Sequence, residues 1–420
     1  MRGKGSITDG ALLIKNDKIA FIGKSASATC TKAEIEIDAK GKVALPGLVN
    51  CHTHVPMTLF RGIAEDQPLD TWLRDAIWPL EAKLKLEDVY IGALLGCLEM
   101  IKSGTTCFAD MYFHEDMVAK AVKKSGLRGV LAEGIMEAGN KALGKKMFSK
   151  SVNFAKSFNG YAGNRVRTML GPHSAYSCSP DLLRKISEKA SELNVGAHLH
   201  LAESEDMFKK FEKKHGSSEV EFLDNMGFLK KHTLAAHCIN LSRKDMRILS
   251  ERGVNVVYVP VANMKLGLGA AKIKDLLNLG INVGLGTDGP ASNNSFDMFE
   301  TMKTAALLQK LVYHNPSIMP AYEVLKMATI NGARALGLEK SVGSLEIGKK
   351  ADVVLIDLSK PHLKPLHNIY ASIVYSARGS DVDTVIVDGK ILMENRQVKI
   401  LSEKAVMEKA EKVAFDLLSR

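Results

Sequence analysis

Short apolar runs alternate with longer amphipathic stretches through the middle of the 420-residue chain. Residues 86–102, 181–192, 217–226 and 243–251 carry apolar side chains at helical spacing. Eight apolar runs have the length and composition of buried strands: 43–50, 105–111, 129–135, 166–171, 195–201, 233–239, 254–260 and 281–286. This alternation predicts a parallel sheet whose strands are joined by crossover helices.

Eight such units over about 300 residues predict an α/β fold, a closed (β/α)8 or TIM barrel. A doubly wound open sheet is the alternative. No GxGxxG sequence follows the first strand to support it, and the glycine-rich segment 284–289 comes too late in the chain.

The two ends of the chain differ from the middle, since short alternating strands separated by Gly-Lys turns occupy them. We expect residues 1–45 and 346–400 to pair into one small β-sandwich domain beside a barrel formed by residues 46–345. An amphipathic C-terminal helix over 401–420 completes the predicted organisation.

Composition narrows the class of protein. Apolar residues make up 46% and charged residues 25%, which is typical of a globular chain. The net charge of +10 raises the question of nucleic-acid binding, but basic residues never run more than two together and acidic residues lie among them. A binding surface concentrates its charge on one element, so we expect a solvated surface and no nucleic-acid partner.

Cysteine usage and the lack of long apolar runs indicate the compartment. No CxxC pair occurs, no apolar segment of the N-terminus resembles a signal peptide, and no apolar run reaches the length of a membrane span. We therefore expect a cytoplasmic protein without a membrane partner, with free thiols at all six cysteines: Cys30, Cys51, Cys97, Cys107, Cys178 and Cys238.

Polar residues collect where the predicted strands end, the position of catalytic groups in such barrels. His52 and His54 end strand one, and the strand period of two places them on one face. His198 and His200 repeat this spacing at strand five, His237 ends strand six and Asp288 ends strand eight.

Three imidazoles and one carboxylate, from His52, His54, His200 and Asp288, suit one divalent metal ion, which we expect to be Zn²⁺. A single HxH pair is weak evidence, because core histidines are often satisfied by backbone groups. That explanation would have to hold independently at every one of these strand ends, so the repeated pattern favours a metal site.

A bound Zn²⁺ lowers the pKa of water to about 7, and hydrolysis then needs groups that move protons. Asp288 could bind the metal and take the proton from water. Glu203, three residues after His200, is the candidate proton shuttle, and His237 could orient the attacking water. Glu203 as an ordinary surface carboxylate is the alternative.

The whole chain resembles the amidohydrolase superfamily, and within it the group of 5'-methylthioadenosine/S-adenosylhomocysteine deaminases that includes archaeal 5'-deoxyadenosine deaminases. The motifs that carry this resemblance are PGLVNCHTH at 46–54, GPHSAYSC at 171–178, HLHLAE at 198–203, GTDGPASNN at 286–294 and GSLEIGKKAD at 343–352.

The resemblance implies the same four metal ligands and catalytic roles for Glu203, His237 and Asp288. It also implies residues that spacing could not give. Glu81 would hold the ribose hydroxyls, Trp72 would form an aromatic wall, and His173 and Ser292 would contact the purine, beside Glu203 and Asp288. It further implies a small-molecule nucleoside substrate and a homo-oligomer, a dimer or tetramer.

Three features depart from the pattern of this group. Glu133 stands in the stretch where some relatives carry an arginine that binds a substrate carboxylate, and we expect it to repel such a carboxylate. Lys145 or Lys146 could replace the arginine only as point charges. We therefore expect small neutral 5' groups to be preferred. Ala262 precedes Asn263 where a serine is usual, and the N-terminus is expected to lack one strand of the small domain.

The sequence thus predicts a zinc-dependent hydrolase of cyclic amidine C–N bonds that converts 5'-deoxyadenosine, 5'-methylthioadenosine or S-adenosylhomocysteine to an inosine-type product and ammonia. Guanine or cytosine deamination and triazine dechlorination are the enzymatic alternatives. Strand four ends in His173 without the lysine that bridges two metals in hydantoinase-like members, which favours a single ion. A non-catalytic barrel scaffold is the alternative from another class.

Overall fold

A computed structural model describes residues 5–28, 33–137 and 139–420 of the chain. Cys30 and the first four residues of the predicted small domain lie outside these ranges. The strands are β1 (Gly10–Lys15), β2 (Lys18–Lys24), β3 (Lys42–Pro46), β4 (Leu48–Thr53), β5 (Thr105–Tyr112), β6 (Arg128–Ile135), β7 (Val166–Pro172), β8 (Gly196–Leu201), β9 (Thr233–His237), β10 (Asn255–Tyr258), β11 (Val283–Leu285), β12 (Val353–Asp357), β13 (Val382–Val387), β14 (Lys390–Glu394) and β15 (Gln397–Val398).

Eight parallel strands form the central sheet in the order β4 to β11, each hydrogen-bonded to the next along the chain. Their side chains are almost entirely buried, because one face packs inside the barrel and the other faces the helices. The prediction of a (β/α)8 barrel is confirmed.

The predicted first strand at 43–50 is wrong as a single element. The chain divides at Gly47, so that β3 joins the small sheet and β4 enters the barrel. A Cβ atom on Gly47 would lie 2.0 Å from the hydroxyl oxygen of Thr106, so the backbone passes at a distance that only glycine allows.

The barrel closes between β4 and β11 through a few specific hydrogen bonds. The amide of Asp288 donates to the carbonyl of His52 at 3.0 Å. Asn50 donates through Nδ2 to the Thr287 hydroxyl at 2.7 Å and accepts from the Thr287 amide at 3.1 Å. Closure therefore brings the end of the last strand against the end of the first.

Amphipathic helices cover the outside of the barrel. The predicted helices at 86–102, 181–192, 217–226 and 243–251 are all present, with ends shifted by at most two residues. In chain order the helices are α1 (Leu69–Thr71), α2 (Trp78–Glu81), α3 (Leu86–Lys102), α4 (Glu115–Ser125), α5 (Lys141–Phe158), α6 (Tyr161–Asn164), α7 (Pro180–Leu193), α8 (Glu205–His215), α9 (Glu219–Asn225), α10 (Arg243–Arg252), α11 (Pro260–Lys265), α12 (Ile273–Asn278), α13 (Met298–Val312), α14 (Ala321–Met327), α15 (Ile330–Ala335), α16 (Ile369–Ala371) and α17 (Glu403–Ser419).

Both ends of the chain contribute to small antiparallel sheets beside the barrel, as the sequence predicted. β1 and β2 form a hairpin, and β3 pairs with β12 in a five-stranded sheet of order β15-β14-β13-β12-β3. The hairpin attaches through backbone hydrogen bonds between Ile19 and the segment at Gly348 and Lys349. The division at 1–45, 46–345, 346–400 and 401–420 stays a prediction.

The C-terminal helix α17 packs along α3. The Lys102 ammonium lies 3.0 Å from the Glu403 carboxylate at one end of this contact, and Arg420 pairs with Asp88 at the other. Within the described ranges, no helix is both long and apolar enough to cross a membrane.

A buried ion pair joins the barrel to the five-stranded sheet. Arg128, the first residue of β6, donates two hydrogen bonds of 3.0 Å to the carboxylate of Asp352 and lies 3.2 Å from Asp388. Its side chain is 5% exposed, and that of Asp352 is 1% exposed. Removal of one partner leaves a buried charge without compensation.

Arg128→Ala is therefore expected to lower the free energy of unfolding by about 3–5 kcal/mol, measured by urea denaturation. Arg252→Ala is the control, because the pair of Arg252 with Asp224 lies at the surface and its loss should hardly move the midpoint. Equal, small effects of both substitutions would show that the buried pair does not hold the sheet to the barrel.

Candidate metal centre and active site

A cavity of about 740 Å³, including its open mouth, lies at the carboxyl ends of the barrel strands. All six residues predicted to contact substrate line this cavity: Trp72, Glu81, His173, Glu203, Asp288 and Ser292. Two of the predicted metal ligands, His54 and His200, also line it. The residues that sequence motifs selected from distant parts of the chain therefore meet in one place.

The predicted metal ligands form a tight cluster. The Nε2 atoms of His54 and His200 lie 3.3 Å apart, and Asp288 Oδ1 lies 3.1 Å from His54 Nε2 and 3.5 Å from His52 Nε2. Their geometry matches two overlapping groups that could hold a metal ion, His52 with His54 and His200, and His52 with His237 and Asp288. The structure thus places His237 closer to the cluster than sequence spacing indicated.

Backbone carbonyls fix the ring orientation of two of these histidines. His54 Nδ1 lies 2.7 Å from the Met111 carbonyl, and His200 Nδ1 lies 2.9 Å from the His173 carbonyl. A carbonyl oxygen only accepts, so each Nδ1 carries a hydrogen and each Nε2 is the nitrogen that binds a metal ion once it has no hydrogen of its own. This is the tautomer that a metal-binding imidazole requires.

Burial and mutual contact set the charges in the cluster. Burial lowers the pKa of His52 to about 4, and it also holds the pKa of His200 well below its usual value. Burial opposes charge on His54 too, but hydrogen bonding to Asp288 raises its pKa to about 9. The same contacts overcome the burial of Asp288 and keep its pKa well below the ordinary range. An ionised carboxylate among imidazoles is a donor set suited to a divalent cation.

Two buried atoms of the cluster, His52 Nε2 and His237 Nε2, have no hydrogen-bond partner among the described residues. His52 Nε2 is shielded from solvent and points to the space between the other predicted ligands. Buried polar atoms are seldom left without a partner, and a metal ion at the centre of the cluster would satisfy this one. The residues present therefore fit a metal ion.

The backbone at three strand ends adopts an uncommon conformation. Ala202, His237, Cys238 and Asp288 all have positive φ angles between 49° and 72°, a region that residues other than glycine seldom occupy. Such conformations are most frequent at functional sites. The amide of Ala202 donates to the carboxylate of Glu219 at 3.0 Å, which stabilises the turn that presents Glu203.

Glu203 and His237 face one another beside the cluster. His237 Nε2 lies 3.6 Å from Glu203 Oε1, and His237 Nδ1 lies 2.8 Å from Asn263 Oδ1. Burial raises the pKa of Glu203. Asn263 thus fixes the ring of His237, a role that sequence analysis missed because it noted only that Ala262 replaces a serine. Ala262 itself is buried in an apolar environment.

A helical segment of the loop after β4 covers the cavity. Trp72 begins a turn of π-helix that runs to Ile77, and α2 then brings Glu81 to the wall of the cavity. Trp72 is 6% exposed. Burial raises the pKa of Glu81 to about 7, although contact with Tyr112 opposes this shift. Glu81 is therefore a cavity group, and not a solvated helix charge.

His173 and Ser292 complete the predicted purine contacts. Burial lowers the pKa of His173 to about 4, so its imidazole is neutral, and its ring centroid lies 4.7 Å from that of His200. The Ser292 hydroxyl donates to the carbonyl of Gly289 at 3.0 Å and keeps its lone pairs free to accept.

The predicted effect of Glu133 on substrate choice is wrong. Its carboxylate accepts from the amides of His114 and Glu115 and lies 2.6 Å from the Lys150 ammonium. It is 1% exposed and does not line the cavity. A carboxylate that is paired with Lys150 on the outer face of β6 does not face a substrate in the cavity.

The predicted substitutes for the missing arginine do not reach the cavity either. Lys145 and Lys146 are exposed on α5, and neither lines the cavity.

Comparisons with known proteins agree with this architecture. Residues 43–392 match the amidohydrolase family, and the chain belongs to it, as its motifs predicted. The chain is 49% identical over 416 residues to 5'-deoxyadenosine deaminase of Methanosarcina mazei, covering 99% of this chain and 95% of that protein. It is 46% identical over 415 residues to 5-methylthioadenosine/S-adenosylhomocysteine deaminase of Desulforudis audaxviator, covering 99% and 96%.

Among solved structures, an adenosine deaminase from Xanthomonas campestris with bound zinc superposes with a TM-score of 0.95 at 32% identity, covering 99% of this chain and 95% of that one. An atrazine chlorohydrolase from Arthrobacter aurescens has a TM-score of 0.90 at 24% identity, covering 97% and 96%. The latter likeness shows a shared fold alone.

Proposed function

We propose that this chain is a metal-dependent deaminase that hydrolyses the 6-amino group of adenosine-type nucleosides, giving an inosine-type product and ammonia. The observation that carries the proposal is the presence of the His/Asp cluster and Glu81 in one cavity. The cluster can hold the metal ion that activates water for hydrolysis. Glu81 can accept hydrogen bonds from the vicinal hydroxyls of a ribose, which free bases and triazines lack. The names of the relatives support this assignment.

The donor set supports one Zn²⁺ ion, held by the Nε2 atoms of His52, His54 and His200 and by the carboxylate of Asp288. The zinc-bound adenosine deaminase structure supports the same metal. When bound, the ion lowers the pKa of water and makes it a nucleophile at neutral pH.

Side chains around the cluster would move the protons of the reaction. Asp288 accepts a proton from the attacking water, and His237, held by Asn263, orients that water towards C6 of the purine. Glu203, protonated at the start, delivers its proton to the adjacent ring nitrogen, and Asp288 passes the proton that it took from water to the departing amine. Glu203 then takes the remaining proton of the new hydroxyl as the carbonyl forms, which restores its protonated state. Water thus supplies the oxygen of the product, and the amino group leaves as ammonia. Their burial around one cavity favours such transfers because bulk water is kept away.

The rest of the cavity would position the nucleoside. Glu81 accepts hydrogen bonds from the ribose hydroxyls, Trp72 provides an aromatic wall, and His173 and Ser292 contact the purine. All four residues line the cavity with the cluster. The intact cluster also argues against a barrel scaffold that has lost its activity.

The nature of the 5' substituent follows from the cavity lining. Among the described lining residues there is no lysine or arginine, and the wall includes the apolar side chains of Phe113, Ile135 and Met136. A substrate carboxylate would find no cation in this chain's own cavity. We therefore propose 5'-deoxyadenosine and 5'-methylthioadenosine as preferred substrates, with S-adenosylhomocysteine secondary.

This proposal is tested by comparing kcat/KM for 5'-deoxyadenosine, 5'-methylthioadenosine and S-adenosylhomocysteine through ammonia release. We expect the two neutral 5' groups to exceed S-adenosylhomocysteine by at least about tenfold, since an unpaired charge weakens binding by more than about 1.4 kcal/mol. A preference for S-adenosylhomocysteine would contradict the substrate assignment but leave deamination itself intact.

Glu81 gives a pH-dependent prediction. The ionised carboxylate accepts from the ribose, and its pKa of about 7 means that it is protonated below neutrality. KM should therefore fall as pH rises through 7. Glu81→Gln should raise KM by about 10–100-fold, corresponding to 1.5–3 kcal/mol for hydrogen bonds to a charged group, and should remove this pH dependence. Steady-state kinetics from pH 6 to 8 measure both, and an unchanged KM in Glu81→Gln would contradict the role.

Two further properties remain proposals. The likeness to the deaminase group supports a homo-oligomer, a dimer or tetramer. The five described cysteines are buried free thiols, which favours a reducing compartment, and we propose the cytoplasm.

A further inference from the structure

The three histidines of the cluster differ in what holds their second ring nitrogen. His54 and His200 use backbone carbonyls, as described above. His52 uses a side chain instead, because its Nδ1 lies 2.7 Å from Nε2 of His198. The two rings meet edge to face, with centroids 4.9 Å apart.

This difference decides how firmly each tautomer is fixed. A carbonyl only accepts, so it holds the hydrogen on Nδ1 of its histidine. An imidazole nitrogen can either donate or accept, so His52 has the required tautomer only if His198 Nε2 accepts. His52 is thus the one predicted histidine ligand whose tautomer depends on another side chain.

A metal ion bound through His52 Nε2 selects the accepting role of His198, because the hydrogen of His52 is then on Nδ1 and His198 Nε2 lies 2.7 Å from it. His198 is 0% exposed, and its own Nδ1 has no hydrogen-bond partner among the described residues. A neutral imidazole has one nitrogen with a hydrogen and one that accepts, so His198 Nε2 accepts when the hydrogen of His198 is on Nδ1.

We propose that His198 is a positioning residue for the metal site, whose Nε2 accepts from His52 Nδ1 and so keeps the lone pair of His52 Nε2 directed to the metal ion. The inference rests on the proposed metal-dependent function. The partner of a metal-binding histidine typically changes metal affinity by about 10–100-fold when it is removed.

Three substitutions at this position separate hydrogen bonding from packing. In His198→Gln the amide oxygen Oε1 can take the position of the imidazole Nε2, so an acceptor for His52 Nδ1 is kept. His198→Phe keeps a ring and His198→Leu keeps an apolar side chain, but neither accepts a hydrogen bond. His232→Gln is the control, since His232 is exposed and precedes β9 at the end of the barrel opposite to the cluster.

The readouts are the dissociation constant of Zn²⁺, measured by competition with a chelator, and the visible absorption spectrum of the Co²⁺-loaded protein. We expect the Phe and Leu variants to weaken Zn²⁺ binding by about 10–100-fold and to change the Co²⁺ spectrum. The Gln variant should stay within a few-fold of the unsubstituted protein. If the Phe variant does not fold, the Leu variant decides.

Wild-type affinity and spectrum in the Phe or Leu variant would overturn the inference, and so would equal losses in all three variants, because packing would then explain them. Failure of the unsubstituted chain to bind Zn²⁺ or Co²⁺ would instead overturn the proposed function. The two failures are therefore distinguishable.

Discussion

Glu203→Gln is expected to lower kcat for 5'-deoxyadenosine by roughly 10³-fold while the metal content stays at one ion per chain. A glutamine amide neither delivers a proton to the purine nor takes one from the new hydroxyl, and general acid–base catalysis contributes about 10²–10⁴-fold. Its shape is nearly that of glutamate, so the contact with His237 Nε2 at 3.6 Å needs no rearrangement. Steady-state kinetics and metal analysis of the purified variant provide the measurement.

Glu205→Gln is the matched control, because Glu205 lies two residues further along and pairs with Lys209 at the surface. This variant should retain the kcat of the unsubstituted protein. Undiminished turnover in Glu203→Gln at full metal occupancy would exclude the proposed proton transfers.

Removal of the metal is expected to have a still larger effect. Without an ion the attacking water keeps a pKa of 15.7, compared with about 7 for zinc-bound water, so turnover should fall to background. One equivalent of Zn²⁺ per chain should restore it, because the described residues form a single cluster centred on His52. Activity titrated against Zn²⁺ after dialysis with a chelator measures both effects.

His54→Ala should require a much higher Zn²⁺ concentration for the same recovery, since His54 Nε2 lies within 3.3 Å of both Asp288 and His200. His232→Ala serves as the control for loss of an exposed histidine. Full turnover by protein that retains less than about a tenth of an equivalent of metal would contradict metal dependence.

The barrel could be predicted because its strands are buried on both faces and appear as continuous apolar runs. The same property hid the division at Gly47, where one apolar run enters two sheets. Only the approach of Thr106 from a neighbouring strand explains that division, and such a contact is absent from the local pattern.

The error at Glu133 was avoidable from the sequence. Side chains alternate between the two faces of a strand, and Leu131 lies with Glu133 on the face that meets the helices, whereas Val130 and Ala132 point into the barrel. A motif identifies a stretch of chain, but the direction of each side chain depends on which face of the strand it occupies.

Residues that act by holding the ring of another residue could not be predicted from the sequence. His198 and His52 are separated by 146 positions, and Asn263 and His237 by 26. Their importance depends on which ring nitrogen faces which partner, and no spacing rule contains that information. By contrast, the groups that face the cavity directly could be selected, because strand ends converge in any barrel.

The measurement that tests the account most directly is the yield of ammonia and the identity of the product when the Zn²⁺-loaded protein consumes 5'-deoxyadenosine. The account predicts one ammonia for each nucleoside consumed and a product in which the 6-amino group has been replaced by oxygen and the ribose is still attached. Absence of ammonia from 5'-deoxyadenosine and 5'-methylthioadenosine at one Zn²⁺ per chain would contradict it.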